Sequence, residues 1–228
     1  MKTIGLIGGM SWESTNLYYQ QLNRGIQQKL GGWSSAKVLL HSVNFQDILD
    51  LQEKNDWQGI GEILANHATQ LQSSGAEGIV LCTNTMHKLA PMIEQKITVP
   101  CLHIIDVLAH QLKAQGITKV GVLGTTFTMQ EAFYQERLAT HGIEMVVPSE
   151  NDQKVIHHII YNELCKGVIT ELSKQQYVEI VNKLIAQEAQ GIVLGCTEIV
   201  LLIGQEKFTV PTFDTTAIHI QAALNFML

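Results

Sequence analysis

The stretch "AEGIVLCTNTMHKL" (76–89) is nearly repeated as "AQGIVLGCTEIVLL" (189–202). Each is an Ile/Val/Leu run opened by glycine and closed by cysteine, threonine and further polar residues. That is the pattern of a buried parallel strand running out into a loop. Two more matches flank this one in the same order. "TIGLIGG" (3–9) followed by "SWESTNLYYQQLNRGIQQKLGG" aligns with "KVGVLGTTFTMQEAFYQERLATHG" (119–142) at an offset of 116, with Gly5 on Gly121, Gly8 on Gly124 and Tyr18 on Tyr134. "VPCLHIID" (99–106) aligns with "VPTFDTTA" (210–217), placing His103 on Asp214. Three ordered matches indicate an internal duplication.

Within each half, strand-like runs alternate with amphipathic helical stretches, as where "KVLLHSV" (37–43) is followed by "FQDILDLQEKNDWQGIGEILANHATQLQSSG". Alternation of this kind predicts an α/β fold: two pseudo-symmetric lobes, each a mostly parallel sheet flanked by helices. The expected division is residues 1–103 plus 211–228 for one lobe and 104–210 for the other, the last helix, "TTAIHIQAALNFML", returning to the first. With 228 residues and 46% hydrophobic content, the chain can fill such cores.

The net charge of −6 gives no electrostatic footprint for nucleic acid or an anionic membrane. No run approaches the roughly 20 apolar residues of a spanning helix. "MKTIGLIGGMSWE" is unlike a signal peptide, so a cytoplasmic protein is expected. Its four cysteines include no CxxC pair and are read as thiols rather than disulfides.

Ligands of parallel α/β sheets bind outside the carboxyl ends of the strands. "EGIVL" ends at Cys82 and "QGIVLG" at Cys196, and treating Gly195 as an insertion brings the two into register. Two equivalent thiols on opposite walls of one cleft suit removal of a proton from one face of a carbon and delivery to the other, which is racemisation or epimerisation. A thiol of ordinary pKa about 8.5 must be partly ionised to act as the base. "TNT" (83–85) and "TE" (197–198) supply hydroxyl and amide donors beside each. Burial in a core is the competing reading for either cysteine alone. Cys101 and Cys165 lack matched partners and are read as structural.

"GLIGGMS" (5–11) lacks the GxGxxG spacing of a dinucleotide site. What remains is a helix N-terminus able to receive a carboxylate, with Ser11 equally explicable as an N-cap. The second-half turn carries Thr125 and Thr126, followed by Thr128 and Glu131 at capping-box spacing. His87 can orient a reacting group or serve as a hydrogen-bonded structural histidine. Capping explains His103 and Asp214, helix packing explains Trp12, Tyr18 and Tyr19, and Arg24 and Arg137 read as surface charges. No histidine spacing suggests a metal site.

"GLIGGMSWEST", "CTNTMHK", "GCTEI" and "VPTFDT" resemble the aspartate/glutamate racemase family over the whole chain. The resemblance implies cofactor-independent racemisation of an amino acid in an active site between two lobes, with Cys82 and Cys196 acting in turn as base and acid. It implies that Asn84, Thr85 and Thr197 bind the substrate carboxylate or steady the thiols, that Gly9, Met10 and Ser11 line the pocket, that no pyridoxal phosphate is used, and that the protein is a homodimer; Thr125, Thr126 and Glu198 are read as further substrate-binding candidates. Glu198, where glutamate racemases resemble "GCTH", points to the aspartate-racemase-like branch. "HSVNFQDILD" (41–50) lacks the Lys or Arg expected to hold a side-chain carboxylate, leaving a broader substrate range open. A non-catalytic binding protein, a one-thiol isomerase or decarboxylase, and a Cys82/His87 hydrolase are the rival readings.

Overall fold

The computed structural model describes residues 1–204 and 207–228. The chain separates into two units, residues 1–103 with 219–228, and residues 104–218.

In the first unit the order is β1 (Ile4–Gly8), α1 (Trp12–Leu30), β2 (Val38–Ser42), α2 (Phe45–Glu53), α3 (Trp57–Ser73), β3 (Gly78–Leu81), a 3₁₀ turn (Thr85–Leu89), α4 (Ala90–Glu94) and β4 (Cys101–Leu102). The second unit follows with α5 (Ile104–Ala114), β5 (Lys119–Leu123), α6 (Thr126–Gln130), α7 (Ala132–Thr140), β6 (Glu144–Val146), α8 (Glu150–Asn162) and a 3₁₀ turn (Leu164–Lys166). Then come α9 (Glu171–Ala186), β7 (Ile192–Leu194), α10 (Ile199–Ile203), β8 (Thr212–Asp214) and α11 (Thr215–Met227). The sheets have the same all-parallel topology, β2-β1-β3-β4 and β6-β5-β7-β8.

Each sheet is apolar on both faces because helices cover both. In the first unit, Ile7, Ile79 and Leu81 pack with Ile60, Leu64 and Leu71, while Ile4, Leu6 and Val80 pack on the other face with Tyr18, Leu22, Ile26 and, from α11, Ile220, Leu224 and Met227. In the second, Val120, Val122 and Val193 face α5 and α7, and Ile192 and Leu194 face α8, α9 and α10. Burying each of these aliphatic side chains contributes about 1.5–3 kcal/mol. α11 closes the first unit by approaching α1 closely: a Cβ at Gly25 would fall 2.4 Å from Leu224 Cδ1.

Several expectations require correction. The segment 211–218 belongs to the second unit, because β8 pairs with β7, Phe213 enters the second core, and Thr215 donates to the Leu194 carbonyl. The long helical stretch after β2 is two helices, divided by Asn55 at positive φ and restarted by Asp56, whose carboxylate caps the Gly59 amide. The helix after β5 is likewise divided at Glu131, whose backbone is extended, so Thr128 lies inside α6 and forms no capping box with it. Tyr18 packs in the core as expected, but Trp12 and Tyr19 are exposed. Arg137 is no isolated surface charge: its guanidinium is bidentate to Asp106, which also meets His141.

Candidate active site

Both sheets reverse strand order between the central strand and its neighbour, β1 against β3 and β5 against β7, and the loops leaving these strands form the ligand-binding position of such sheets. In the first unit they are the 9–11 turn and the segment starting at Cys82. In the second they are Thr125–Thr126 and Cys196–Glu198.

The hydrogen bonds between these strands fix how the two halves correspond. Glu77 N–H donates to Thr3 O and Gln190 N–H to Lys119 O; Cys82 N–H donates to Ile7 O and Gly195 N–H to Leu123 O. The paired registers Gly5↔Ile79 and Gly121↔Ile192 agree. The correspondence is therefore ungapped: Gly195 is no insertion, Cys82 corresponds to Gly195, and the counterpart of Cys196 is Thr83. The expected equivalence of Cys82 and Cys196 is corrected accordingly. A side chain at 195 has no room, since a Cβ there would lie 2.8 Å from the Leu123 carbonyl oxygen.

Burial tells the same story. Successive β3 side chains alternate in face, so Cys82 joins Val80 among Ile4, Leu6 and Tyr18 and is 0% exposed. Desolvation there pushes its thiol far above the ordinary range, holding it protonated. Thr83, the next residue, is half-buried. Its carbonyl accepts from His87 Nδ1 at 2.8 Å, and the Cys82 carbonyl accepts from the Ser14 hydroxyl at 3.0 Å.

His87 itself is buried beside His103 and His219, ring centroids 4.7 and 5.5 Å away. His219 Nε2 bonds to the Leu102 carbonyl at 2.7 Å, which makes Nδ1 the acceptor for the Tyr18 hydroxyl at 2.8 Å. Desolvation, aided by the neighbouring imidazoles, brings His87 and His219 down to about 3, so both stay neutral. This is the structural-histidine reading, in which His87 carries no charge to offer a nucleophile.

In the 9–11 turn, Ser11 is an N-cap, accepting the Ser14 amide at 3.4 Å, while Gly9 at φ 93° donates to the Thr15 hydroxyl at 2.8 Å. Gly9 needs its conformational freedom, because a Cβ there would meet the Val43 backbone. Met10 and Asn84 are buried and Thr85 is half-buried.

In the second unit, Cys196 is half-buried and its thiol donates to Glu198 Oε2 at 2.9 Å, the same oxygen that accepts from the Thr197 hydroxyl at 2.7 Å. Burial first, and Glu198 second, push the thiol well above its usual value. Thr125 is the N-cap of α6, and the Thr126 hydroxyl lies 2.8 Å from His157 Nδ1. The His157 ring is 4.6 Å from that of Tyr161. Tyr161 acts electrostatically with Cys196, Cys165 and Glu198. Cys165, read above as structural, is exposed; partial desolvation and Glu198 raise it to about 11.

The candidate residues that sequence reasoning missed are thus Thr83, legible in an ungapped alignment of 76–89 on 189–202, and His157 with Tyr161, for which composition and spacing offer no signal. Among the described residues no group of three or more His, Cys, Asp or Glu is placed to hold a metal, and no helix is long and apolar enough to cross a membrane.

The family model for Asp/Glu/Hydantoin racemase matches residues 7–223. The chain is 51% identical to a Yersinia pestis protein provisionally assigned as an Asp/Glu racemase, at a TM-score of 0.96 with 100% of this chain and 99% of that one covered. It is 33% identical to an aspartate racemase homologue from Pyrococcus horikoshii OT3, TM-score 0.86 over the same shares. It is also 24% identical to the broad specificity amino-acid racemase RacX of Bacillus subtilis, across 94% of this chain and 93% of that protein. With the duplicated parallel sheets and the polar segments at their carboxyl ends, the match over residues 7–223 shows that the chain belongs to the Asp/Glu/hydantoin racemase family of isomerases.

Proposed function

We propose that the protein is a cofactor-independent amino-acid racemase in which Cys196 takes and returns the α-proton, and Thr83 serves the opposite face of the carbon. The observation that supports this reading is the ungapped strand register, which makes Thr83 the first-half counterpart of Cys196 in the repeat and turns the Cys82 thiol into the core. Cys196 contributes general acid–base catalysis, worth typically 10²–10⁴-fold. Thr83 is a hydroxyl donor without a thiol's acidity, so the two faces are served unequally.

The substrate α-carboxylate is received by amide and hydroxyl donors of the 9–11 turn, Asn84, Thr85 and Thr197. A set of preorganised donors is what a developing carbanion requires. Segment 41–50 offers no Lys or Arg, and similarity to a broad specificity racemase supports a substrate range wider than aspartate. Residues Thr126, His157 and Tyr161 then present a hydroxyl, a neutral-leaning imidazole and a phenol to the substrate side chain; burial lowers the His157 pKa.

The test is α-proton exchange in heavy water by NMR, with chiral chromatography, over a panel of L- and D-amino acids without pyridoxal phosphate. Exchange and inversion of one or more, lost on Cys196→Ser, are the expected result. Full exchange by Cys196→Ser, or a ligand that binds without exchange, would falsify the reading; the latter favours a binding protein.

A further inference from the structure

Glu198 is unexpected company for a thiol that must act as a base. Its Oε2 gathers hydrogen bonds from the Cys196 thiol at 2.9 Å and the Thr197 hydroxyl at 2.7 Å. Among the described residues, the other titratable groups acting around this thiol are Cys165 beside α8, Tyr161 on α8 and Tyr177 on α9, with Glu163 near Tyr177. None of these brings a positive charge. A thiol so placed gains little by releasing its proton to water at neutral pH, and ionises only where the proton has a close acceptor.

We propose that Glu198 is this acceptor, a proton-holding residue that works through Cys196. The S–H bond breaks and an O–H bond forms on Oε2, so the pair keeps one negative charge while moving it from oxygen to sulfur. The thiolate then takes the substrate α-proton, S–H reforms, and the C–H electron pair stays on the substrate as the carbanion. In reverse, the thiol protonates the carbanion and the resulting thiolate recovers its proton from Glu198. The Thr197 hydroxyl bonds the carboxylate form and, as a donor that can rotate, follows the change. The substrate steps rest on the racemase reading above; proton exchange within the pair needs no substrate.

Thiol with carboxylate and thiolate with carboxylic acid bind the same number of protons, so the thiolate fraction is independent of pH while the pair holds one proton. Iodoacetamide alkylation of Cys196 in the intact chain, read by mass on its peptide, reports that fraction. Between about pH 6 and pH 9 the wild-type rate is expected to change less than about threefold, while Glu198→Gln is expected to climb on the order of tenfold per pH unit like an isolated thiol. Glu198→Asp, which keeps a carboxylate, is expected to restore the shallow profile.

A wild-type rate that climbs as steeply as that of Glu198→Gln overturns the proposal. Since labelling needs no turnover, the two readings fail separately. A shallow profile with no amino acid exchanged removes the racemase and leaves the pair, whereas exchange with a steep profile removes the pair alone.

Discussion

Cys82 and Cys196 stand at the ends of nearly identical strands, yet substitution should separate them completely. Cys82 is fully buried among Ile4, Leu6, Tyr18, Leu22 and Val80. Removing its sulfur in Cys82→Ala deletes about one methylene equivalent of packed volume, a cost of about 1 kcal/mol once the cavity is included. In a protein of this size that lowers Tm by about 2–4 °C. Cys82→Ser places a hydroxyl in the same apolar setting and should cost more, about 1–3 kcal/mol, despite its smaller change in volume. Neither change should move kcat/KM by more than about threefold, since the side chain faces away from the strand-end segment. Cys196→Ser, half-buried and hydrogen-bonded to Glu198, should show the reverse: a small shift in Tm and a loss of about 10²–10⁴-fold in α-proton exchange. The assays are thermal unfolding by circular dichroism and exchange in heavy water on the same preparations. A folded Cys82→Ala that loses 10²-fold or more in exchange refutes the register argument and restores the two-cysteine mechanism.

Thr83→Cys gives the first unit the thiol that the second has at the corresponding position; inversion of a substrate already exchanged by the wild type should rise on the order of 10²-fold, and an unchanged ratio of inversion to exchange would count against Thr83 facing the carbon. Tyr18→Phe strips the donor from buried His219 Nδ1 and should destabilise by about 1–3 kcal/mol in urea unfolding, with near-neutral stability the contrary result. His87 and His219 are held near 3, below the ordinary 6.5 of the unfolded chain, so the unfolded chain binds more protons between those values. Their stabilisation is complete above about pH 6.5 and is lost as pH falls toward 3, so the unfolding midpoint should drop from pH 7 to pH 4.5. A flat midpoint over that range would contradict their burial as neutral groups.

Much of the architecture was legible because the duplication supplied the fold twice. Gly5 and Gly121 mark the same close approach, where a Cβ would fall 2.9 Å from Ile79 and Ile192 respectively. The helix breaks at Asn55 and Glu131 were not, since apolar spacing runs through both and the interruption lies in backbone conformation rather than composition. The alignment of the two halves was misread by one residue. Matching cysteine to cysteine is chemically attractive, but in a strand of period two a one-residue slip carries a side chain to the opposite face. Strand hydrogen bonds decide between the alignments, and they favour the less suggestive pair. Ser11 and Asp214 were read as caps from their place before helices, and each accepts first-turn amides. Thr126, His157 and Tyr161 come together only through the packing of α8, which no local pattern encodes.

The return of α11 to the first unit also sets an order of assembly. Residues 104–218 form a contiguous unit, whereas the first lacks Ile220, Leu224 and Met227 against Tyr18 and Leu22 until residues 219–228 have been translated. Domains ordinarily mature from the amino end as they leave the ribosome. Here the later-made unit can close first, and the earlier-made one must wait with one face of its sheet uncovered, an interval in which exposed apolar surface favours aggregation.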